Sequence, residues 1–253
     1  MSDQNPQPQQ KLPFSLAAGA LLVGALVVAV IFISRANGPS PTANSATGAS
    51  SPASSTPATS GSPGSSATPA SVPFADCSTA AFGAPLQPVG EPADAHVYAA
   101  PQSMQIDTTK LYEATITTAK GTIVLCLQPS LAPVTVNNFV ALARNHFYDG
   151  LKFHRVVAGF VIQGGDPKGD GSGGPGYKFN DEPVLQKYIV GAVAMANSGV
   201  NTNGSQFFIC IADDTSTLQP LYNLFGKVTA GLNLAQTIQV GDVMQTVTVT
   251  QQQ

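Results

Sequence analysis

Several kinds of chemistry need a fixed set of residue types, and most are not assembled in this chain. The three histidines (His96, His146, His154) and three cysteines (Cys77, Cys126, Cys210) lie far apart. They lack the paired spacing of a zinc site, so no metal is expected. Ser205, His154 and Asp166 supply the types of a hydrolase triad, but no nucleophile elbow surrounds Ser205. The Gly-rich run at 164–176 lacks the Gly-Lys-Ser/Thr ending of a phosphate loop. It reads as a long surface loop whose glycines permit positive φ. Asn203-Gly204-Ser205 has the form of a glycosylation acceptor, a pattern common by chance. Charged residues make up 10% of the chain and the net charge is −3, with no basic stripe. Nucleic-acid binding, which needs clustered Lys and Arg to displace counterions, is therefore not expected.

Two long stretches carry more information. The first is Phe153-His154-Arg155-Val156-Val157-Ala158-Gly159-Phe160-Val161-Ile162-Gln163-Gly164-Gly165-Asp166. The second is Met195-Ala196-Asn197-Ser198-Gly199-Val200-Asn201-Thr202-Asn203-Gly204-Ser205-Gln206-Phe207-Phe208-Ile209. Both closely resemble the signature motifs of the cyclophilin-type peptidyl-prolyl cis–trans isomerases, and Phe225-Gly226-Lys227-Val228 resembles a third, shorter segment. The resemblance runs over about residues 115–248. It implies a closed eight-stranded antiparallel β-barrel capped by two helices, acting on Xaa-Pro bonds of protein chains without a cofactor. Arg155 matches the family's catalytic arginine. Phe160, Val161, Phe208 and Leu218 match its proline pocket. Gln163, Ala196, Asn197, Gln206 and Tyr222 match further substrate-binding positions. The sequence departs from the family at three places: Val161 stands where Met is frequent, Tyr222 where His is frequent, and Thr217 where Trp is frequent. Family members with that Trp tend to bind cyclosporin well. The competing reading is a barrel that captures proline-containing segments without turnover; such a module would be free to lose Arg155.

The elements needed to position these residues are legible in part. Residues 112–120 alternate polar and apolar, Gly121 interrupts, and Ile123, Leu125 and Leu127 continue on one side. That is a strand–turn–strand pattern. Pro133 fits the first turn of a helix, and Val136, Phe139, Val140 and Ala143 give that helix one apolar face. Short strands are expected near 160–163, 192–196, 207–211 and 225–228, then a helical stretch near 232–238 and a last strand over 243–250. The class is mainly β. The ordered domain, expected to be monomeric, is placed at 106–250.

Upstream the composition changes. Residues 1–13 are a polar tail. Residues 14–33 form an uncharged apolar run flanked by Lys11 and Arg35. About 20 residues at 1.5 Å rise span a hydrocarbon core, so this run is expected to be one transmembrane helix rather than a cleaved signal. Lys11 and Arg35 nearly cancel in the positive-inside count. The short tail before the run points to a cell-membrane protein with its C-terminal domain outside the cytoplasm. Residues 34–105 are a linker and extension, rich in Ser, Pro, Ala and Thr over 37–73, where apolar burial is too small to offset chain entropy. Phe74, Phe82, Tyr98 and Met104 enter its later part. A Cys77–Cys126 disulfide is expected from the outward position of Cys126 on its strand, pinning residues 74–107 to the barrel. Cys210 is expected free and buried, on the face opposite Phe208.

Overall fold

The structure, a computed structural model, describes residues 70–89 and 96–253. The tail, the apolar run 14–33 and most of the linker lie outside the described residues. Among the described residues no helix is long and apolar enough to cross a membrane.

The strands are β1 (Phe82–Pro85), β2 (Tyr112–Thr118), β3 (Gly121–Leu127), β4 (Arg155–Val156), β5 (Val161–Gly164), β6 (Ala192–Met195), β7 (Phe207–Cys210), β8 (Leu224–Ala230) and β9 (Thr246–Gln252). The helices are α1 (Pro133–Arg144) and α2 (Leu232–Ala235). All strand pairs are antiparallel, in the order β1-β9-β2-β3-β8-β6-β7-β5-β4.

The expected hairpin is β2–β3, paired from Tyr112↔Leu127 to Thr118↔Gly121. Gly121 takes φ 133°, a conformation that side chains rarely adopt. Tyr112, Ala114 and Ile116 on β2, and Ile123, Leu125 and Leu127 on β3, are all 0% exposed. They meet Val136, Phe139 and Val140 of α1 in the main core, as the alternation requires.

The expectation of a closed eight-stranded barrel needs correction. The sheet has nine strands, because the extension adds β1 on the outer edge of β9. No ladder joins the end strands β1 and β4, and β4 has only two residues. The gap is bridged by backbone bonds between residues 150–153 and 241–244: Gly150 N–H to Met244 O (2.7 Å), Met244 N–H to Leu151 O (2.8 Å) and Phe153 N–H to Asp242 O (2.9 Å). The second helix is also shorter than expected, at four residues.

A second apolar cluster lies on the other face of the same strands. It contains Leu131, Val161, Tyr188, Ala192, Ala194, Phe208, Cys210 and Leu224. Cys210 is free and buried, as expected, but it shares this face with Phe208. Residues two apart on a strand point the same way, so the expectation of opposite faces was wrong. Burial pushes the Cys210 thiol pKa up.

The extension is fastened to both faces. The Cys77–Cys126 disulfide is present, with Cα atoms 5.7 Å apart. Upstream of it, Val72 and Phe74 pack on the second cluster. Gln128 holds this strap by accepting from Ala75 N–H (2.7 Å) and donating to Pro73 O (3.0 Å). On the far side, α1 buries nine of its residues, more than one apolar stripe needs. Its second face meets the extension. Asn137 accepts from Gln105 N–H (2.8 Å) and donates to Gln102 O and Ser103 O. Just past the helix, Asn145 accepts from Val89 N–H (2.8 Å).

Candidate active site

The site grows from the outward face of β4, β5 and β7. Val161 and Gln163 point outward from β5 while Ile162 enters the core. In register, Gln163 pairs with Arg155 on one side and with Phe208 on the other. The two signature stretches thus meet through adjacent strands.

A cleft of about 230 Å³ is lined by Arg155, Val161, Gln163, Ala196, Asn197, Phe208, Leu218 and Tyr222. Eight of the ten residues singled out in the sequence therefore face one cavity. Phe160 and Gln206, the other two, border it. Phe160 packs on the same cluster, and the Arg155 guanidinium carbon lies 5.9 Å from its ring centre. Gln206 is joined by a hydrogen bond from Gln163 Nε2 (3.0 Å).

The floor is apolar and rigid. Val161 is 2% and Phe208 5% exposed. The Tyr222 ring stands edge-on to Phe208 at 5.5 Å. Tyr188, which sequence reasoning missed, fixes this wall: its hydroxyl donates to Tyr222 O (2.7 Å) and accepts from Tyr222 N–H (3.0 Å). Leu218 is placed by a tight turn in which Asp214 O accepts from both Thr217 and Leu218 N–H. The turn sends Leu218 to the cleft and leaves Thr217 exposed.

The polar rim is a chain of bonds. Arg155 Nη1 donates to Gln163 Oε1 (3.3 Å), and Gln163 donates to Gln206. Gln206 Nε2 then donates to Gly171 O (2.9 Å) and Gly173 O (2.8 Å). The Gly-rich loop is thereby tied to Arg155 through two amides. Its inner turn is built on buried Asp166, which accepts from the N–H groups of Lys168, Asp170 and Gly171. Asn197 spends its side chain on the neighbouring loop, donating to Leu221 O (2.9 Å).

A larger groove of about 850 Å³ shares Gln163, Ala196 and Asn197 with the cleft and is also lined by Gln206. It runs between the Gly-rich loop and residues 196–204. Sequence reasoning did not anticipate it, because one wall is a glycine-rich loop whose residue types carry no recognition signal. The alternative chemistries find no support here. Ser205 is fully buried and donates to Gly165 O (2.7 Å), and Asn203, the acceptor position for a glycan, is 0% exposed. Among the described residues no group of His, Cys, Asp and Glu is placed to hold a metal.

The family model described as cyclophilin type peptidyl-prolyl cis-trans isomerase/CLD matches residues 113–253. The chain belongs to this family. A Helicobacter pylori peptidyl-prolyl cis-trans isomerase is 45% identical over 145 residues, covering 56% of this chain and 88% of that one. Peptidyl-prolyl cis-trans isomerase B of Bacillus subtilis is 50% identical over 125 residues, covering 49% of this chain and 87% of that one. Among solved structures, the cyclophilin type isomerase of Cryptosporidium parvum superposes with a TM-score of 0.51 at 33% identity. It covers 55% of this chain and 97% of that one. A second crystal structure of the same protein, in the presence of the dipeptide Ala-Pro, gives the same TM-score. The chain is thus a cyclophilin-type peptidyl-prolyl cis–trans isomerase. The family match leaves out the strap, β1 and residues 96–112.

Proposed function

We propose that Arg155 is the catalytic residue of this isomerase and that the cleft floor holds the proline ring while the preceding carbonyl swings. Rotation about a prolyl bond faces a barrier of about 18–20 kcal/mol, and uncatalysed exchange takes tens to hundreds of seconds. A ten-thousandfold acceleration requires lowering the barrier by about 5.5 kcal/mol. No bond to another atom forms or breaks. What needs stabilising is the twisted amide, whose nitrogen regains lone-pair density. A fixed cation that donates hydrogen bonds is suited to that task.

The observation that carries this reading is the position of Arg155. Its guanidinium sits at the lip of an apolar cleft, beside Phe160 and bonded to Gln163. The guanidinium is permanently charged and presents a rigid fork of donors. Val161, Phe208, Leu218 and Tyr222 receive the ring. Gln163 orients Arg155 and connects it to Gln206. Asn197, its side chain occupied, offers substrate its main chain. The adjoining groove takes the substrate chain flanking the proline. A prolyl-isomerisation assay on the chain and on Arg155→Ala tests this; near-normal turnover in the folded variant removes the assignment.

The reading extends to location. The enzyme is anchored by residues 14–33 and works on protein chains outside the cytoplasm, near the membrane. Two features support this: the length of the apolar run, and the disulfide, which persists in oxidising compartments. Protease added to intact cells should release the barrel by cutting the linker. Protection under conditions that digest an outward-facing control reverses the orientation.

A further inference from the structure

The wall of the large groove poses a physical problem. Residues 171, 173, 174 and 176 are all glycine, and Gly171 and Gly176 take φ values of 91° and 90°. Such backbone has little intrinsic shape, since it lacks side chains to restrict it. A groove built from it needs clamps from outside the loop. Gln206 clamps the 171–173 side. The clamp on the 175–177 side comes from the extension.

Tyr98 N–H donates to Pro175 O at 2.9 Å. Gly176 lies so close that an added Cβ would stand 2.7 Å from Tyr98 O and 3.2 Å from Tyr98 N. The Tyr98 ring, 7% exposed, stands edge-on to Tyr177 with centres 6.4 Å apart. The Tyr177 hydroxyl, its pKa pushed up by burial, donates to Asn138 Oδ1 (2.6 Å). Asn138 in turn donates to Gly204 O (2.9 Å) on the opposite side of the groove. Upstream and downstream of Tyr98 the extension is also bonded to Asn145 and Asn137, at Val89 and Gln105.

We propose that Tyr98, in the extension outside the family match, is a positioning residue for substrate binding: it fixes the 175–177 wall of the groove and so governs affinity for the residues flanking the proline. This rests on the reading above that the groove takes the substrate chain. Without the Tyr98 ring packed against Tyr177 and Phe147, the backbone that bonds Pro175 loses its anchor and the glycine wall must be ordered by each substrate as it binds. Ordering of that kind weakens binding by about three- to tenfold. Rotation itself takes place in the adjoining cleft around Arg155.

The experiment compares two substrates in the full chain: a blocked Ala-Pro peptide too short to enter the groove, and a peptide with four residues on each side of the prolyl bond. For Tyr98→Ala the expected result is a KM about three- to tenfold higher on the long peptide, with kcat within about twofold. The short peptide should show no such rise, and Tyr98→Phe should restore the long-peptide KM. If Tyr98→Ala does not fold, Tyr98→Leu keeps the buried bulk without the edge-on ring and takes its place. An unchanged long-peptide KM overturns the proposal, as does an equal loss on both peptides. Ser198→Trp, which fills the groove, separates the two levels. If it also leaves the long-peptide KM unchanged, the groove reading fails and the proposal with it. If it raises KM while Tyr98→Ala does not, only the role of Tyr98 is lost.

Discussion

Arg155 on β4 stands directly across from Gln163 on β5, and the two side chains bond, Nη1 to Oε1, at 3.3 Å. Gln163 thus sets the direction of the cation at the lip of the cleft. Arg155 is exposed and contributes little to packing. Arg155→Ala should therefore lower kcat/KM by about a hundredfold or more, the usual cost of a lost transition-state donor. The melting temperature should stay near that of the parent, as for most surface substitutions. Arg155→Lys should not restore the rate, because an ammonium cannot bond Gln163 and the amide nitrogen through one rigid fork. Isomerisation and thermal melting measured on the same preparations check all three statements.

The disulfide should stabilise the folded unit. It closes a loop of sequence separation 49 between Cys77 and the buried Cys126. Replacing both cysteines by serine should reduce stability by about 2–4 kcal/mol. Denaturant titrations of the parent with and without a dithiol reductant should show the same loss, and the double variant should be insensitive to the reductant. Amide exchange in residues 72–77 should rise most, since the strap's remaining hold is Gln128 and the contacts of Val72 and Phe74.

His154, immediately before Arg155, should make stability depend on pH. Burial lowers its pKa below the ordinary value of 6.5; Arg155 adds to the effect, while Asp166 and Asp170 oppose it. The unfolded chain then binds this proton more readily than the folded one, so stability rises with pH across the interval. The contribution is present in full above the unfolded value of 6.5 and is lost as pH falls from there through the lower folded value. The parent should lose more stability between pH 7.5 and 5 than His154→Gln does. Denaturation midpoints at a series of pH values measure the difference, and parallel curves would show that His154 does not carry it.

Cyclosporin binding should separate from turnover. Thr217 is exposed beside Leu218, and the sequence resemblance sets it at the family's frequent Trp. An indole offers a large flat surface and one N–H donor; threonine offers a methyl and a hydroxyl. Thr217 does not line the cleft, so peptide turnover should not need an indole there. The parent should isomerise peptides yet bind cyclosporin weakly, and Thr217→Trp should tighten inhibition while leaving kcat/KM for peptides nearly unchanged. Tight inhibition of the parent would show that the loop contributes to drug binding in another way.

The sequence by itself determined the cleft. All ten residues singled out by resemblance to the family, in the two signature stretches and the loop after them, line or border one cavity, and strand alternation accounts for Val161, Gln163 and Phe208 sharing a face. The same rule, correctly applied, puts Cys210 on that face too. Alternation also marked Cys126 as outward, and proline's fit to a first helical turn marked Pro133 as the start of α1. Only the tertiary structure decided what covers those faces. Hydrophobic periodicity reports which side of an element is apolar, and it is silent on what docks against a polar one. Asn137 and Asn145 are polar, yet both are buried and bonded to the backbone of the extension. The ninth strand, the bonds from residues 150–153 to 241–244, and the clamp of Tyr98 on Pro175 are made by main-chain groups that every residue carries. Such contacts leave no mark in residue type, so they exist only once the chain has folded.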